Sequence, residues 1–84
     1  MFIVFHSTFE KKFKKILPKV QNHFYNRLVL FKKNKFSPIL NNHRVEKRFP
    51  GCRSINVTGD YRAIFKEEKD TYIFINIGRH SELY

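Results

Sequence analysis

The chain has one cysteine, no tryptophan and only seven acidic residues among its 84. A single thiol, Cys52, rules out an intrachain disulfide and fits a reducing compartment, the cytoplasm. Its spacing from the four histidines matches no recognisable zinc pattern, so neither a metal nor another cofactor is expected. No apolar run approaches the length of a membrane span. Met1 to Phe5 is apolar but too short for a signal peptide, and no basic segment precedes it, so it reads as a strand. Internal repeats and low-complexity tracts are absent. The shortage of acid leaves 17 Lys+Arg against 7 Asp+Glu, a net charge of +10. That balance calls for nucleic acid, an acidic protein or an anionic surface as partner, without choosing among them.

What is present is aromatic. Ten Phe and four Tyr within a 42% hydrophobic composition suffice for a packed core, so the chain reads as one domain over residues 1–84. A core of that size without a disulfide implies a stability of only about a few kcal/mol.

The punctuation predicts the order β-α-α-β-β-β. Phe2 to Phe5 is the first strand. Ser7-Thr8-Phe9-Glu10 has capping-box spacing, with Ser7 as the expected cap. Phe9, Phe13, Ile16 and Leu17 then recur at helical intervals, for a helix of about three turns. Pro18 suits the first position of a second helix, whose stripe is Val20, Phe24, Leu28 and Phe31, fading at Lys32 to Lys35. Phe36 to Gly51 has no clean period and reads as a connecting segment. Arg53 to Thr58 alternates as a strand, Gly59-Asp60 signals a tight hairpin, and Tyr61 to Lys66 is its partner. Glu67 to Asp70 is a charged turn. Thr71 to Ile77, apolar on both faces (Ile73, Ile75 and Ile77 against Tyr72 and Phe74), is expected inside the sheet. The fold class is α+β: a mostly antiparallel sheet with a two-helix hairpin on one face.

Directly after that last strand come Gly78-Arg79-His80-Ser81-Glu82-Leu83-Tyr84, groups suited to phosphate binding and proton transfer at one strand end. With helices on one side of the sheet, the other would carry Asn56, Asp60, Arg62, His80 and Tyr84. Arginines there can hold a phosphate and stabilise a pentavalent transition state. A histidine moves protons near neutral pH, and a carboxylate orients it or acts as base. That inventory suits metal-free RNA cleavage by the substrate's own 2′-hydroxyl, a group that DNA lacks. Plainer readings stand beside it: Asp60 next to Gly59 has a turn role, Arg53 and Arg62 can pair with Glu67 or Glu68, and His6 and His23 are structural or exposed. The lysine-rich helix faces are solvated.

Three stretches carry a resemblance: Arg53-Ser54-Ile55-Asn56-Val57, Gly59-Asp60-Tyr61-Arg62-Ala63-Ile64-Phe65, and Ile75-Asn76-Ile77-Gly78 running into the final heptapeptide. Together they resemble the RelE/ParE superfamily of type II toxin–antitoxin toxins. The Gly-Arg-His-Ser-Glu-Leu-Tyr ending, with Asn42-His43 in the preceding loop, looks most like the YafQ branch. The resemblance implies a small ribonuclease that cuts messenger RNA, usually in the ribosomal A site, without a metal. It also implies an acidic antitoxin partner, operator DNA as a ligand of the pair, and no membrane. Carried over by position, His80, His43 and Asp60 fall on catalytic residues. Arg62 falls on a phosphate-contacting arginine, Tyr84 beside the cleaved nucleotide, and Arg53 on the arginine preceding the catalytic strand. Arg79 and Asn56 complete the expected RNA-binding set. Asn56 stands where the branch carries a histidine, and an amide cannot exchange a proton at neutral pH. The base is then Asp60, His43 or a ribosomal group. The same scaffold also serves gyrase poisons of the ParE type, which need no acid–base cluster. A non-enzymatic basic binder is the third class.

Overall fold

The computed structural model describes residues 1–84. Strand β1 (Phe2–Phe5) leads into helices α1 (Ser7–Lys14) and α2 (Pro18–Lys33). A single 3-10 turn at Pro38–Leu40 precedes a two-residue strand β2 (His43–Arg44). Strands β3 (Cys52–Asn56), β4 (Tyr61–Glu68) and β5 (Thr71–Arg79) follow, and a one-turn helix α3 (His80–Leu83) closes the chain. The five strands form one sheet in the order β1-β5-β4-β3-β2. Only the β1–β5 pair is parallel, and α1 and α2 carry the chain from β1 across to β2 at the opposite edge of the sheet. The α+β expectation holds, with β2 and α3 as added elements, and β5 lies inside the sheet between β1 and β4.

Two local expectations for α1 fail. His6, not Ser7, caps it: the His6 ring Nδ1 accepts from the Thr8 amide at 3.1 Å. The imidazole one residue earlier serves the free Thr8 amide, while the Glu10 amide that the Ser7 hydroxyl was expected to serve donates to the His6 carbonyl at 3.0 Å. The helix also ends at Lys14, shorter than the periodicity implied, and Leu17 is exposed as the residue before Pro18. The residue preceding a proline is pushed out of helical geometry, which cuts the stripe there.

Both faces of the sheet are covered. On the helix side, Phe9, Val20, Phe24 and Phe31 pack on Ile55, Val57, Ala63, Phe65, Tyr72, Phe74 and Ile77. Phe24 lies at its centre, with ring centroids 5.2 Å from Phe9 and 5.6 Å from Phe74. On the opposite face, expected to be open, Val45, Cys52, Ile64 and Leu83 form a small second core with Phe49 and Ile75 at its margin. The alternation predicted for β5 is broken by a bulge. Phe65 pairs with Phe74 but Ile64 pairs with Asn76, leaving Ile75 as the extra residue. Ile77 therefore joins Tyr72 and Phe74 on the helix side, and Ile75 goes to the other core.

The β3–β4 hairpin is built differently from the glycine turn anticipated. Gly59 does not adopt positive φ. Instead the Thr58 hydroxyl accepts from the amides of Asp60 (3.2 Å) and Tyr61 (3.0 Å). The Asp60 carboxylate thereby takes no part in the turn's hydrogen bonding.

Candidate active site

Alternation along the strands decides which polar side chains can meet. In antiparallel pairs, residues directly opposite share a face. His43 faces Ser54, and Asn56 faces Arg62, which in turn faces Gly78. This set lies on the side away from the helices, the side on which Cys52 and Ile64 pack with Leu83 of α3. The segment Val45 to Phe49 and α3 cover this face from two ends. Between them lies a cleft of about 670 Å³. His43, Arg62, His80 and Tyr84 all line it, joined by Arg44, Lys47 and Arg48.

Each group is held from behind. His43 Nδ1 lies 2.7 Å from the carbonyl oxygen of Asn41. A carbonyl only accepts, so Nδ1 carries the proton, and the lone pair of the neutral ring sits on Nε2. Arg62 Nη1 donates to the carbonyls of Thr58 (2.9 Å), Tyr61 (3.0 Å) and Gly59 (3.2 Å). Three hairpin carbonyls thus fix one corner of the guanidinium, and Nε and Nη2 are left for an anion. His80 begins α3, where its amide donates to the Asp60 carbonyl at 2.7 Å. Its ring lies 4.7 Å from that of Tyr84, centroid to centroid. The Glu82 carboxylate accepts from the Arg79 amide at 2.9 Å and closes this turn.

Other expected site residues lie elsewhere. Asp60 turns its carboxylate to Arg79, at 3.6 Å from Nε, and does not line the cleft. Arg79 faces Tyr61 in register, with its guanidinium carbon 5.8 Å from that ring's centroid. Arg53 occupies the helix-side face of β3, across the sheet from Arg62, and donates from Nε to Asn42 Oδ1 at 2.7 Å. Asn56 is beside Arg62, but its Oδ1 is buried and without a partner. The anticipated pairing of Arg53 or Arg62 with Glu67 or Glu68 does not occur, since Lys35 takes Glu67 (3.1 Å) and Lys66 takes Glu68 (3.0 Å).

Arg44, Lys47 and Arg48 were missed as cleft residues in the sequence reading. Their signal was there, three basic residues within six positions of Asn42-His43, but only the two-residue β2 pairing folds that segment across the sheet. No group of three or more His, Cys, Asp or Glu side chains is arranged to hold a metal ion. No helix is long and apolar enough to cross a membrane.

Among solved structures, the chain is similar to YafQ from E. coli, at 20% identity with a TM-score of 0.81 over 98% of this chain and 96% of that one. It is similar to a copper-bound mutant toxin from Helicobacter pylori, at 24% identity and a TM-score of 0.74 over 100% and 99% of the two chains. It also matches the E. coli DinJ-YafQ toxin-antitoxin complex, at 20% identity and a TM-score of 0.78 over 98% and 94%. These likenesses show the fold. No curated protein sequence matches the chain. The family model described as "ParE toxin of type II toxin-antitoxin system, parDE" matches residues 3–84. With nearly its whole length so matched, the chain belongs to the ParE toxin family of type II toxin–antitoxin systems, within the RelE/ParE superfamily.

Proposed function

We propose that this toxin is a metal-independent endoribonuclease that cleaves messenger RNA in the ribosomal A site. The observation that carries the reading is the shared cleft. Two imidazoles and a guanidinium from β2, β4 and α3 line it together, and one imidazole is held with Nε2 free to accept. His43 Nε2 removes the proton from the substrate 2′-hydroxyl, whose oxygen attacks the adjacent phosphorus. Arg62 stabilises the added negative charge through Nε and Nη2. His80 donates a proton to the departing 5′-oxygen. The products are a 2′,3′-cyclic phosphate and a 5′-hydroxyl. Tyr84 packs beside the nucleotide at the cut, with Arg44, Lys47 and Arg48 toward the flanking phosphates.

This reading gives the base to His43 rather than Asp60. Asp60 and Arg79 pair with each other outside the cleft, and Asp60 holds α3 in place through its carbonyl. Asn56 takes no part in proton transfer and backs Arg62. The protein acts in the cytoplasm, on the ribosome.

Its inhibitor is an acidic antitoxin, and with it the toxin occupies operator DNA. The net charge of +10 supports an acidic partner. So do the exposed apolar side chains of Tyr25 and Val29 on α2 and of Phe36 and Ile39 after it.

The test is cleavage of a defined message by purified toxin in a reconstituted translation mixture with chelator present. The expected result is cuts inside the reading frame, lost in His43→Ala and His80→Ala variants that keep the wild-type circular dichroism. Whole transcripts together with accumulating gyrase–DNA breaks would instead establish the gyrase-poison reading.

A further inference from the structure

The helix-side position of Arg53 leaves its guanidinium, a planar cation with directed N–H groups, without access to the cleft. Its hydrogen bonds lead elsewhere. Nε donates to Asn42 Oδ1 at 2.7 Å, and Nη2 to the Asn42 carbonyl at 3.4 Å. The guanidinium carbon lies 5.6 Å from the Phe36 ring centroid, so the plane is packed as well as bonded. Asn42 is held from its other side too: its Nδ2 donates to the Lys35 carbonyl at 2.9 Å. Lys35 is itself tied to the Tyr72 hydroxyl (2.9 Å) and the Glu67 carboxylate (3.1 Å). A continuous set of bonds therefore runs from β4 and β5 through the end of α2 to Asn42.

Next to Asn42 is the residue that touches the candidate base. The Asn41 carbonyl and the Asn42 amide share one rigid peptide plane. Asn41 sits in the left-handed region (φ 47°, ψ 49°), and its amide donates to the Pro38 carbonyl at 3.1 Å. Fixing Asn42 therefore fixes the direction of the Asn41 carbonyl, the sole acceptor for His43 Nδ1–H.

We propose that Arg53 is a positioning residue: through Asn42 and the Asn41 carbonyl it holds the His43 ring in the tautomer and orientation that a general base needs. It does so from the far side of the sheet and binds no phosphate. The proposal deepens the ribonuclease reading and rests on it for its catalytic meaning.

The experiment has two independent readouts on the full chain. Long-range ¹H–¹⁵N correlations report which nitrogen of the His43 ring is protonated, whether or not the protein cleaves anything. Cleavage and RNA-binding assays on the same variants report the consequence. Wild type should show the Nδ1–H form. Arg53→Ala and Asn42→Ala should both show a mixture with Nε2–H, and Arg53→Lys should not restore the wild-type signature. Turnover should fall on the order of 10- to 100-fold in each, as for outer residues that orient a working imidazole. Affinity for RNA should stay within about two-fold, since no phosphate contact is removed. Arg53→Ala tests the link from one end and Asn42→Ala from the other, so a folding failure in one leaves the other decisive.

An unchanged ring signature with weakened RNA binding would overturn the proposal and make Arg53 a phosphate ligand. A changed signature with full turnover would overturn it as well. If wild type cleaves no RNA, the ribonuclease reading falls, and the ring signature alone still decides whether Arg53 governs His43.

Discussion

His43, Arg62 and His80 differ in how each is secured, and the differences set what their replacement should do. His43 depends on one carbonyl 2.7 Å away, Arg62 on three hairpin carbonyls, and His80 on an amide bond to Asp60 and a ring contact with Tyr84. Loss of either imidazole should lower the cleavage rate by about 10²- to 10⁴-fold, measured on a defined RNA, with folding unchanged. Arg62→Lys keeps the charge but not the fork that grips the hairpin, so it should recover little of the activity lost in Arg62→Ala. Asp60→Asn should cost far less than His43→Ala, because the Asp60 carboxylate faces Arg79 outside the cleft while its carbonyl, which holds His80, is retained. The residue types of this site were legible in the sequence; their grouping was not. Strand alternation placed Arg62 and Asn56 on one face correctly. The same alternation puts Arg53, an odd-numbered neighbour of Ser54, with Ile55 on the other face, against its expected place among the RNA-binding groups.

Among the elements, the β4–β5 hairpin carries an uncommon strain. Lys69 has φ 55°, a left-handed conformation that costs a side chain with a Cβ about 1 kcal/mol or more. Lys69→Gly should raise stability by about 0.5–1 kcal/mol in urea unfolding, without touching the cleft. The core element most sensitive to truncation is α2 at Phe24, buried among five other rings. Phe24→Ala should cost about 3–5 kcal/mol, comparable with the whole stability expected of so small a core, and leave the chain largely unfolded at ordinary temperature. Long elements were readable because α2 and β3 to β5 repeat their apolar side chains over many residues. The short ones were not. Two residues of β2 and four of α3 have no period of their own and exist through pairing with Ser54 and packing of Leu83 on Ile64. The β5 bulge escaped for the same reason, since its cause is the partner strand.

For the whole molecule, two groups couple folding to alkaline pH. The hydrogen bonds that Lys35 donates, first to the Tyr72 hydroxyl and then to the Glu67 carboxylate, raise its pKa against the opposing effect of burial. Burial raises the Cys52 thiol above its usual 9.0. Both folded-state values lie above the unfolded ones, so both contributions are full below the unfolded pKa and are lost as pH climbs through the folded one. The urea midpoint should therefore fall as pH rises past about 9, and Cys52→Ala should flatten the onset of that fall. At neutral pH the governing whole-molecule property is charge. With +10 on a body 31 × 27 × 24 Å across, binding to free RNA should weaken steeply with salt in wild type and in His80→Ala alike. On the proposed reading, charge draws in RNA and the cleft decides whether it is cut.

The most direct measurement is the chemistry of the ends left on a translated message. Wild-type toxin, with chelator present, should leave a 2′,3′-cyclic phosphate upstream and a 5′-hydroxyl downstream, and both should vanish in folded His43→Ala. Ends of the opposite kind, a 3′-hydroxyl with a 5′-phosphate, or undiminished cleavage by that variant, would contradict the account.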